Sequence, residues 1–213
     1  NTYGKISVQT RSGNTPDPTN PTNSFVWTKY DNTIPAASDT TSTNGRIPLG
    51  TSEKGDSHQI FGNSIIKDGD TYKMWYSAMS NTDYKERIFY ATSPDGINWT
   101  KYDNTIPSAS NTTGTNGRIP LGTTGRGDSG GTAQPFVIKD GATYKMWYIG
   151  YDVDYIHRIY YATSSDGITW TKYDNTIPAA SDTTGTNGRV SIGTSDKGDD
   201  SGIESVSVIK DGS

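Results

Sequence analysis

Seven side chains that could recognise a ligand lie where otherwise near-identical segments of the chain differ. One set of segments reads HQIFGNSIIKDG (58–69), GGTAQPFVIKDG (130–141) and SGIESVSVIKDG (201–212), and the other reads MSNTDYKE (79–86) and YDVDYIH (151–157). The candidates are His58, Gln59, Tyr84, Gln134, Tyr151, Tyr155 and Glu204. Aromatic platforms with a few amide, imidazole or carboxylate groups suit the recognition of a sugar. The alternative is that exposed hairpin tips vary because nothing constrains them.

A long repeat must position these residues. RIFYATSPDGINWTKYDNTIP (87–107) returns as RIYYATSSDGITWTKYDNTIP (158–178), and its second half already occurs at 26–35. The tryptophans that mark the period are 72 residues apart (99 − 27) and 71 apart (170 − 99), namely Trp27, Trp99 and Trp170. About three repeats of about 71 residues therefore fill a single repeat domain, 1–213. Its predicted parts are 1–30 (closing or donor strands), 31–102 (module 1), 103–173 (module 2) and 174–213 (partial module 3).

Each module predicts four short antiparallel strands. In module 1 these are 64–67, 72–78, 87–92 and 99–102, with Asp-Gly turns after the first and the third strand. Aromatic and β-branched residues occupy both faces, which predicts a sheet covered by neighbours on each side. The expected fold is all-β, a propeller-like array of four-stranded blades with the last blade shared between the chain ends. The connections 31–51 and 103–123 differ at only three positions, which indicates either folding against a blade or a recent duplication.

The composition excludes several classes of partner and binding site. The net charge is −4 with both signs mixed along the chain, which argues against nucleic acid or an anionic membrane as partner. There is no cysteine, so disulfides and thiolate metal sites are excluded. No apolar run approaches the length of a membrane span, so no membrane insertion is expected. A chain that starts at Asn1 without Met is expected to be a processed product or a fragment, located outside the cell or at its surface.

The chain ends predict self-assembly. Residues 1–30 resemble the strands that the last module lacks, and KISVQTRS (5–12) is the predicted donor strand. A contact between neighbouring chains would give a ring or a filament by strand addition, whereas closure within one chain would give a monomer. The predicted assembly residues are Lys5, Ile6, Val8, Val206, Val208 and Ile209.

The phrases YKMWYSA, IFYATSPDGINW and TKY resemble the blade signature of the five-bladed propeller glycosidase superfamily, over roughly 57–102 and 128–173. SPDGINW (93–99) and SSDGITW (164–170) are similar to the Asp-box of sialidase-type propellers, shortened by one residue. The resemblance implies a propeller in which the aspartate caps its own turn and the tryptophan packs between sheets. It also implies that catalytic carboxylates would lie on the innermost strands of different blades.

The carboxylate pattern does not match that implied machinery. Hydrolysis needs two carboxyl groups about 5 to 9.5 Å apart. Glu204 occupies the position of the glycosidase acid, but Phe61 and Ala133 stand at the equivalent positions. Asp56, Asp128 and Asp199 recur in every module, which indicates turn chemistry. No catalytic residue is therefore predicted.

Other candidate sites are sparse. His58 and His157 have no metal-ligand spacing, and no metal site or cofactor is predicted, although turns such as Asp199-Asp200 could hold Ca²⁺. Asn98 and Asn111 match the N-glycosylation pattern. The leading hypothesis is a non-catalytic extracellular repeat protein that self-assembles, with a structural or adhesive role. The alternatives are a lectin-like carbohydrate-binding module and a fragment of a glycoside hydrolase.

Overall fold

A computed structural model describes residues 9–12, 26–29, 33–180 and 184–211. All regular elements there are strands, which confirms the all-β prediction. They are β1 Gln9–Ser12, β2 Val26–Lys29, β3 Thr41–Ser42, β4 Gln59–Asp68, β5 Thr71–Met79, β6 Glu86–Ser93, β7 Trp99–Lys101, β8 Thr113–Gly114, β9 Gly131–Asp140, β10 Thr143–Tyr151, β11 His157–Ser164 and β12 Trp170–Lys172. The described ranges contain no helix that is long and apolar enough to cross a membrane.

The two complete modules form two antiparallel five-stranded sheets. Their strand orders are β3-β7-β6-β5-β4 and β8-β12-β11-β10-β9. The prediction of four strands was one short, because each long connection adds a two-residue strand beside the outer tryptophan strand, with Ser42 opposite Trp99 and Gly114 opposite Trp170. Ile47 and Ile119 of these connections are buried, so the connections are folded against the sheets.

The sheets pack face to face through aromatic side chains. Trp75 of β5 is fully buried and meets Trp170 of the second sheet edge-on, with ring centroids 5.7 Å apart. Its Nε1–H donates to the carbonyl oxygen of Gly167 at 3.2 Å. One cluster of buried residues draws on both sheets and includes Tyr90 and Tyr144. This shared core explains why the strands are apolar on both faces.

A buried ion pair joins the inner and outer edges of each sheet. Asp128 lies just before β9 and accepts hydrogen bonds from Lys172 Nζ (2.7 Å), Asn175 Nδ2 (2.8 Å) and Tyr148 Oη (3.2 Å). Asp56 has the same three kinds of partner in the first sheet, where Lys101 Nζ lies 2.6 Å away. Both carboxylates are fully buried. The interpretation of these aspartates as turn residues was therefore incomplete, because each holds together strands that are distant in sequence.

The chain ends do not pair with each other among the described residues. β1 pairs with β2 in a separate two-stranded sheet, from Gln9 opposite Lys29 to Ser12 opposite Val26. Residues 201–210 form no strand, so Val206, Val208 and Ile209 lack the ladder partners of the aligned residues in β4 and β9. Lys5, Ile6 and Val8 lie outside the described residues. Strand complementation between chain ends thus stays a prediction.

Candidate functional site

One end of the two sheets gathers most of the predicted ligand residues. At that end β4 and β9 begin, β5 and β10 finish, and β6 and β11 begin, as the registers Gln59–Met79–Glu86 and Gly131–Tyr151–His157 show. The β5–β6 and β10–β11 hairpin tips therefore stand side by side. His58, Gln59, Tyr84, Tyr151 and Tyr155 are brought to this end by the antiparallel topology.

A cleft of about 310 Å³ separates the two hairpin tips. From the first tip it is lined by Asp83, Tyr84 and Lys85, and from the second by Tyr151, Asp152, Val153 and Tyr155. Gly130, directly before β9, also lines it. Tyr84 and Tyr155 are 62% and 75% exposed, although both are large aromatic residues. This volume is at the lower end of the range for ligand pockets, which suits a small ligand or one end of a longer one.

The second wall of the cleft is an aromatic stack. The rings of Tyr151 and Tyr155 are nearly parallel, with an angle of 18° between their planes and 5.7 Å between their centroids. Tyr151 is itself buried and also contacts the His157 ring at 4.9 Å, so it supports the exposed ring of Tyr155. On the first tip, His58 meets Tyr84 edge-on at 5.1 Å. Each exposed tyrosine is thus supported by a second ring.

The backbone at both tips adopts a conformation that is unfavourable for tyrosine. Tyr84 has φ 55° and Tyr155 has φ 58°, in the left-handed region where an L-residue costs about 1–2 kcal/mol. The turns are closed by Tyr84 N–H donating to Ser80 O (3.0 Å) and by Tyr155 N–H donating to Asp152 O (3.1 Å). Both tyrosines therefore occupy backbone positions where glycine would be less strained.

Two ion pairs fix the hairpin tips. The buried guanidinium of Arg87 holds Asp83 with Nη2 2.5 Å from Oδ2, and the buried Arg158 holds Asp152 with Nη1 2.8 Å from Oδ2. Asp152 Oδ1 also accepts the backbone N–H of Asp154 at 3.0 Å. These carboxylates are largely occupied by the protein, so the cleft does not present an uncompensated negative charge.

Glu86 is a site residue that the alignment of inner strands missed. It begins β6, beside the cleft, and is partly buried. Burial raises the pKa of its carboxyl group, the negative charge of Glu204 raises this pKa further, and a hydrogen bond with Tyr151 opposes both. Glu204 is largely exposed, with Oε1 3.6 Å from His157 Nδ1. Comparison of the two modules could have identified Glu86, because the aligned residue in module 2 is His157.

Gln134 lies away from the cleft. It sits in β9 with φ 51°, near the register shift opposite Trp147 and Ile149, and its N–H donates to Ser77 Oγ at 2.8 Å. A Cβ placed on Gly62 would lie 2.6 Å from Gln134 Oε1, so this side chain packs on the neighbouring inner strand. The structure therefore places Gln134 in the contact between the sheets.

The predicted glycosylation positions both have protein partners. Asn98 is exposed, and its Nδ2 donates to Asp95 Oδ2 at 2.7 Å. Asn111 is half-buried and exchanges hydrogen bonds with Thr123. Within the described ranges, no group of three or more His, Asp or Glu residues could hold a metal ion.

No protein-family profile matches the chain. Two uncharacterized proteins of Mycobacterium tuberculosis, from strains ATCC 25618 / H37Rv and CDC 1551 / Oshkosh, are each 36% identical to it over 113 residues. That match covers 50% of this chain and 31% of each relative, so it spans about a third of the relatives' length.

Several solved glycoside hydrolases are similar to the chain in structure. A glycosyl hydrolase from Bacteroides ovatus is 19% identical with a TM-score of 0.46, over 62% of this chain and 34% of that chain. A family 117 glycoside hydrolase of Zobellia galactanivorans is 13% identical with a TM-score of 0.48, over 73% and 45%. A putative glycoside hydrolase from Parabacteroides distasonis is 18% identical with a TM-score of 0.47, over 86% and 44%. At this level of similarity, nothing about substrate or activity transfers from those proteins.

Proposed function

We propose that the chain is an extracellular, propeller-like module that binds neutral carbohydrate in the cleft between the two hairpin tips. The observation that carries the proposal is the supported, exposed Tyr155 ring facing Tyr84 across the cleft. The apolar face of a sugar ring stacks on tyrosine, while its hydroxyl groups bond to tyrosine hydroxyls and to the Lys85 amine. Because Arg87 and Arg158 neutralise the two aspartates, a neutral sugar fits better than a cationic ligand.

Replacing Tyr155 by Gly should separate binding from folding. Glycine adopts φ 58° without strain, so the free energy of unfolding should change by no more than about 1 kcal/mol. Loss of the stacking ring should lower the affinity for the tightest-binding neutral oligosaccharide by about tenfold or more. A glycan array identifies this oligosaccharide, and calorimetric titration measures the affinity. The matched control is Tyr173→Ala, which removes another exposed tyrosine ring outside the cleft and should leave the affinity unchanged. Equal affinities in wild type and Tyr155→Gly would rule out the cleft as the sugar site.

Glu86 and Glu204 lie at the same pair of rings, since Glu86 shares a hydrogen bond with Tyr151, Glu204 lies 3.6 Å from His157, and the two rings are in contact. This placement favours a second candidate function, glycoside hydrolysis. A carboxyl group that stays protonated near an ionised one is the arrangement that an acid and base pair requires. Burial and the charge of Glu204 both act to keep Glu86 protonated. In this candidate Glu86 is the general acid and Glu204 the carboxylate that acts as base or nucleophile.

If this candidate is right, the wild-type protein should release reducing ends from the bound oligosaccharide. The hydrolysis rate of Glu86→Gln should be lower by at least about 100-fold. Because the acid must be protonated, the rate should fall as the pH rises through the raised pKa of Glu86. Glu53→Gln, at an exposed position outside the cleft, is the control. If the wild-type protein binds the oligosaccharide without cleaving it, the result contradicts glycoside hydrolysis. The non-catalytic binding function would then remain.

Self-assembly by strand complementation, with a structural or adhesive role, remains a further hypothesis. Residues 201–210 align with β4 and β9, yet no described residue pairs with them as a strand. Because this segment has no strand partner among the described residues, residues 5–12 of the same or another chain could pair with it by strand addition. Light scattering tests this hypothesis, because a monomeric particle mass in solution would contradict self-assembly.

A further inference from the structure

The strands beneath the two hairpin tips differ at one pair of facing positions. In the first sheet Gln59 pairs with Met79, and in the second sheet the aligned Gly131 pairs with Tyr151. The backbone is the same in both places, because the residue before each pair donates its N–H to the carbonyl oxygen of Met79 or Tyr151, at 2.9 Å and 2.8 Å. The difference between the two tips at this pair therefore lies in the side chains.

Gly131 leaves the space that the Tyr151 ring fills. A Cβ on Gly131 would lie 2.1 Å from Tyr151 Cζ and 2.3 Å from the hydroxyl oxygen, which is closer than unbonded atoms approach. Gly131 is not one of the glycines with a positive φ, so its backbone would accept other residues without strain. The tyrosine ring, and not the backbone, accounts for the glycine at this position.

The Tyr151 ring has no room to move aside. It is only 6% exposed and lies between the rings of Tyr155 and His157, with centroids 5.7 and 4.9 Å away. Its hydroxyl group shares a hydrogen bond with Glu86 of module 1. A side chain at position 131 would have to displace this ring, and the exposed Tyr155 would then lose the surface on which it stacks.

We propose that Gly131 is a positioning residue that determines the ligand specificity of the cleft, because it makes room for the ring that supports Tyr155. This inference rests on the proposed carbohydrate-binding function. The opposite wall has no parallel stack, since His58 meets Tyr84 edge-on at 75°. The cleft therefore selects a ligand that presents one flat apolar face to Tyr155, and such a ligand binds in one orientation.

The residues of module 1 provide the test. Gly131→Gln introduces the residue of position 59, so it should lower the affinity for the tightest-binding neutral oligosaccharide of the array by about tenfold or more. It should also lower the urea midpoint of unfolding, because the added side chain overpacks the site. Gly131→Gln/Tyr151→Met reproduces the Gln59–Met79 pair. This double variant should recover most of the lost midpoint while its affinity stays low, as measured by urea unfolding and calorimetric titration.

Gly198→Ala is the matched control, because a Cβ there meets no atom within 4 Å, and it should change neither the affinity nor the midpoint. Wild-type affinity in Gly131→Gln or in the double variant would overturn the proposal. A double variant that is no more stable than Gly131→Gln would also overturn it, since the tyrosine ring would then not be the reason for the glycine.

Failure of this proposal can be distinguished from failure of the proposed function. Loss of affinity in Tyr155→Gly but not in Gly131→Gln would overturn the role of Gly131 alone and leave the cleft as the sugar site. Wild-type affinity in Tyr155→Gly would reject the cleft as the sugar site, and the role of Gly131 in specificity would be rejected with it.

Discussion

Replacing Lys172 by Met should lower the free energy of unfolding by about 3–5 kcal/mol. Lys172 Nζ is fully buried 2.7 Å from Asp128 and also donates to the carbonyl oxygens of Ser110 and Pro120. Burial lowers the pKa of Lys172 and the charge of Asp128 raises it, so the ammonium group depends on this carboxylate to stay ionised. The substitution leaves the Asp128 carboxylate in the core with only neutral partners. Urea unfolding followed by tryptophan fluorescence measures the loss.

Two controls isolate the buried pair. Lys145→Met removes the partly exposed partner of Asp140, and such a pair contributes about 1 kcal/mol or less. The double variant Lys172→Met/Asp128→Leu removes both charges, so it should recover a large part of the stability lost in Lys172→Met. Equal small losses in Lys172→Met and Lys145→Met would contradict the assignment of Asp128 as a structural hub.

Replacing Trp75 by Ala should cost about 3–5 kcal/mol. The side chain is fully buried, contacts Trp170, Tyr90 and Tyr144, and donates a hydrogen bond to Gly167 of the other sheet. Its removal opens a cavity between the sheets and leaves the carbonyl oxygen of Gly167 with the indole N–H of Trp170 alone. Guanidinium unfolding, followed by far-UV circular dichroism, measures the effect.

Trp147→Ala is the matched control for Trp75→Ala, since Trp147 occupies the same position in the second module. Trp147 is only partly buried and contacts Tyr161 within its own sheet. The control should therefore lose much less stability than Trp75→Ala. Equal losses would show that Trp75 contributes through its own sheet, and that the contact between sheets adds little.

The middle strands of each sheet were predictable almost to the residue. The predicted strands 72–78 and 87–92 correspond to β5 Thr71–Met79 and β6 Glu86–Ser93. Each is an apolar run with an Asp-Gly turn near one end, and both signals are local in sequence. The inner strand was predicted only over 64–67, whereas β4 begins at Gln59. The first half of β4 contains polar residues, and its pairing with β5 shifts register between Phe61 and Asn63. The local sequence pattern there therefore lacks the alternation of a strand.

The hairpin-tip part of the candidate site was also accessible from the sequence, since comparison of the modules identified Tyr84, Tyr151 and Tyr155. That Tyr151 supports Tyr155 and that Tyr84 faces them depends on two hairpins 71 residues apart (155 − 84). Gln134 belonged to the same variable set, yet it packs between the sheets. Variation between modules marks positions that are free to differ, and packing alone decides which of them face solvent.

The sequence by itself determined the repeat, the strand class and the turns, because these follow from residue spacing and from hydrogen bonds within a few residues. The Asp95 carboxylate, for example, accepts the N–H groups of Ile97 and Asn98 in its own turn. Only the tertiary structure decided the role of Asp128, whose partner Lys172 is 44 residues away, and the meeting of Glu86 with Glu204. Charged groups interact through distance and burial in space, and neither quantity is encoded by separation along the chain.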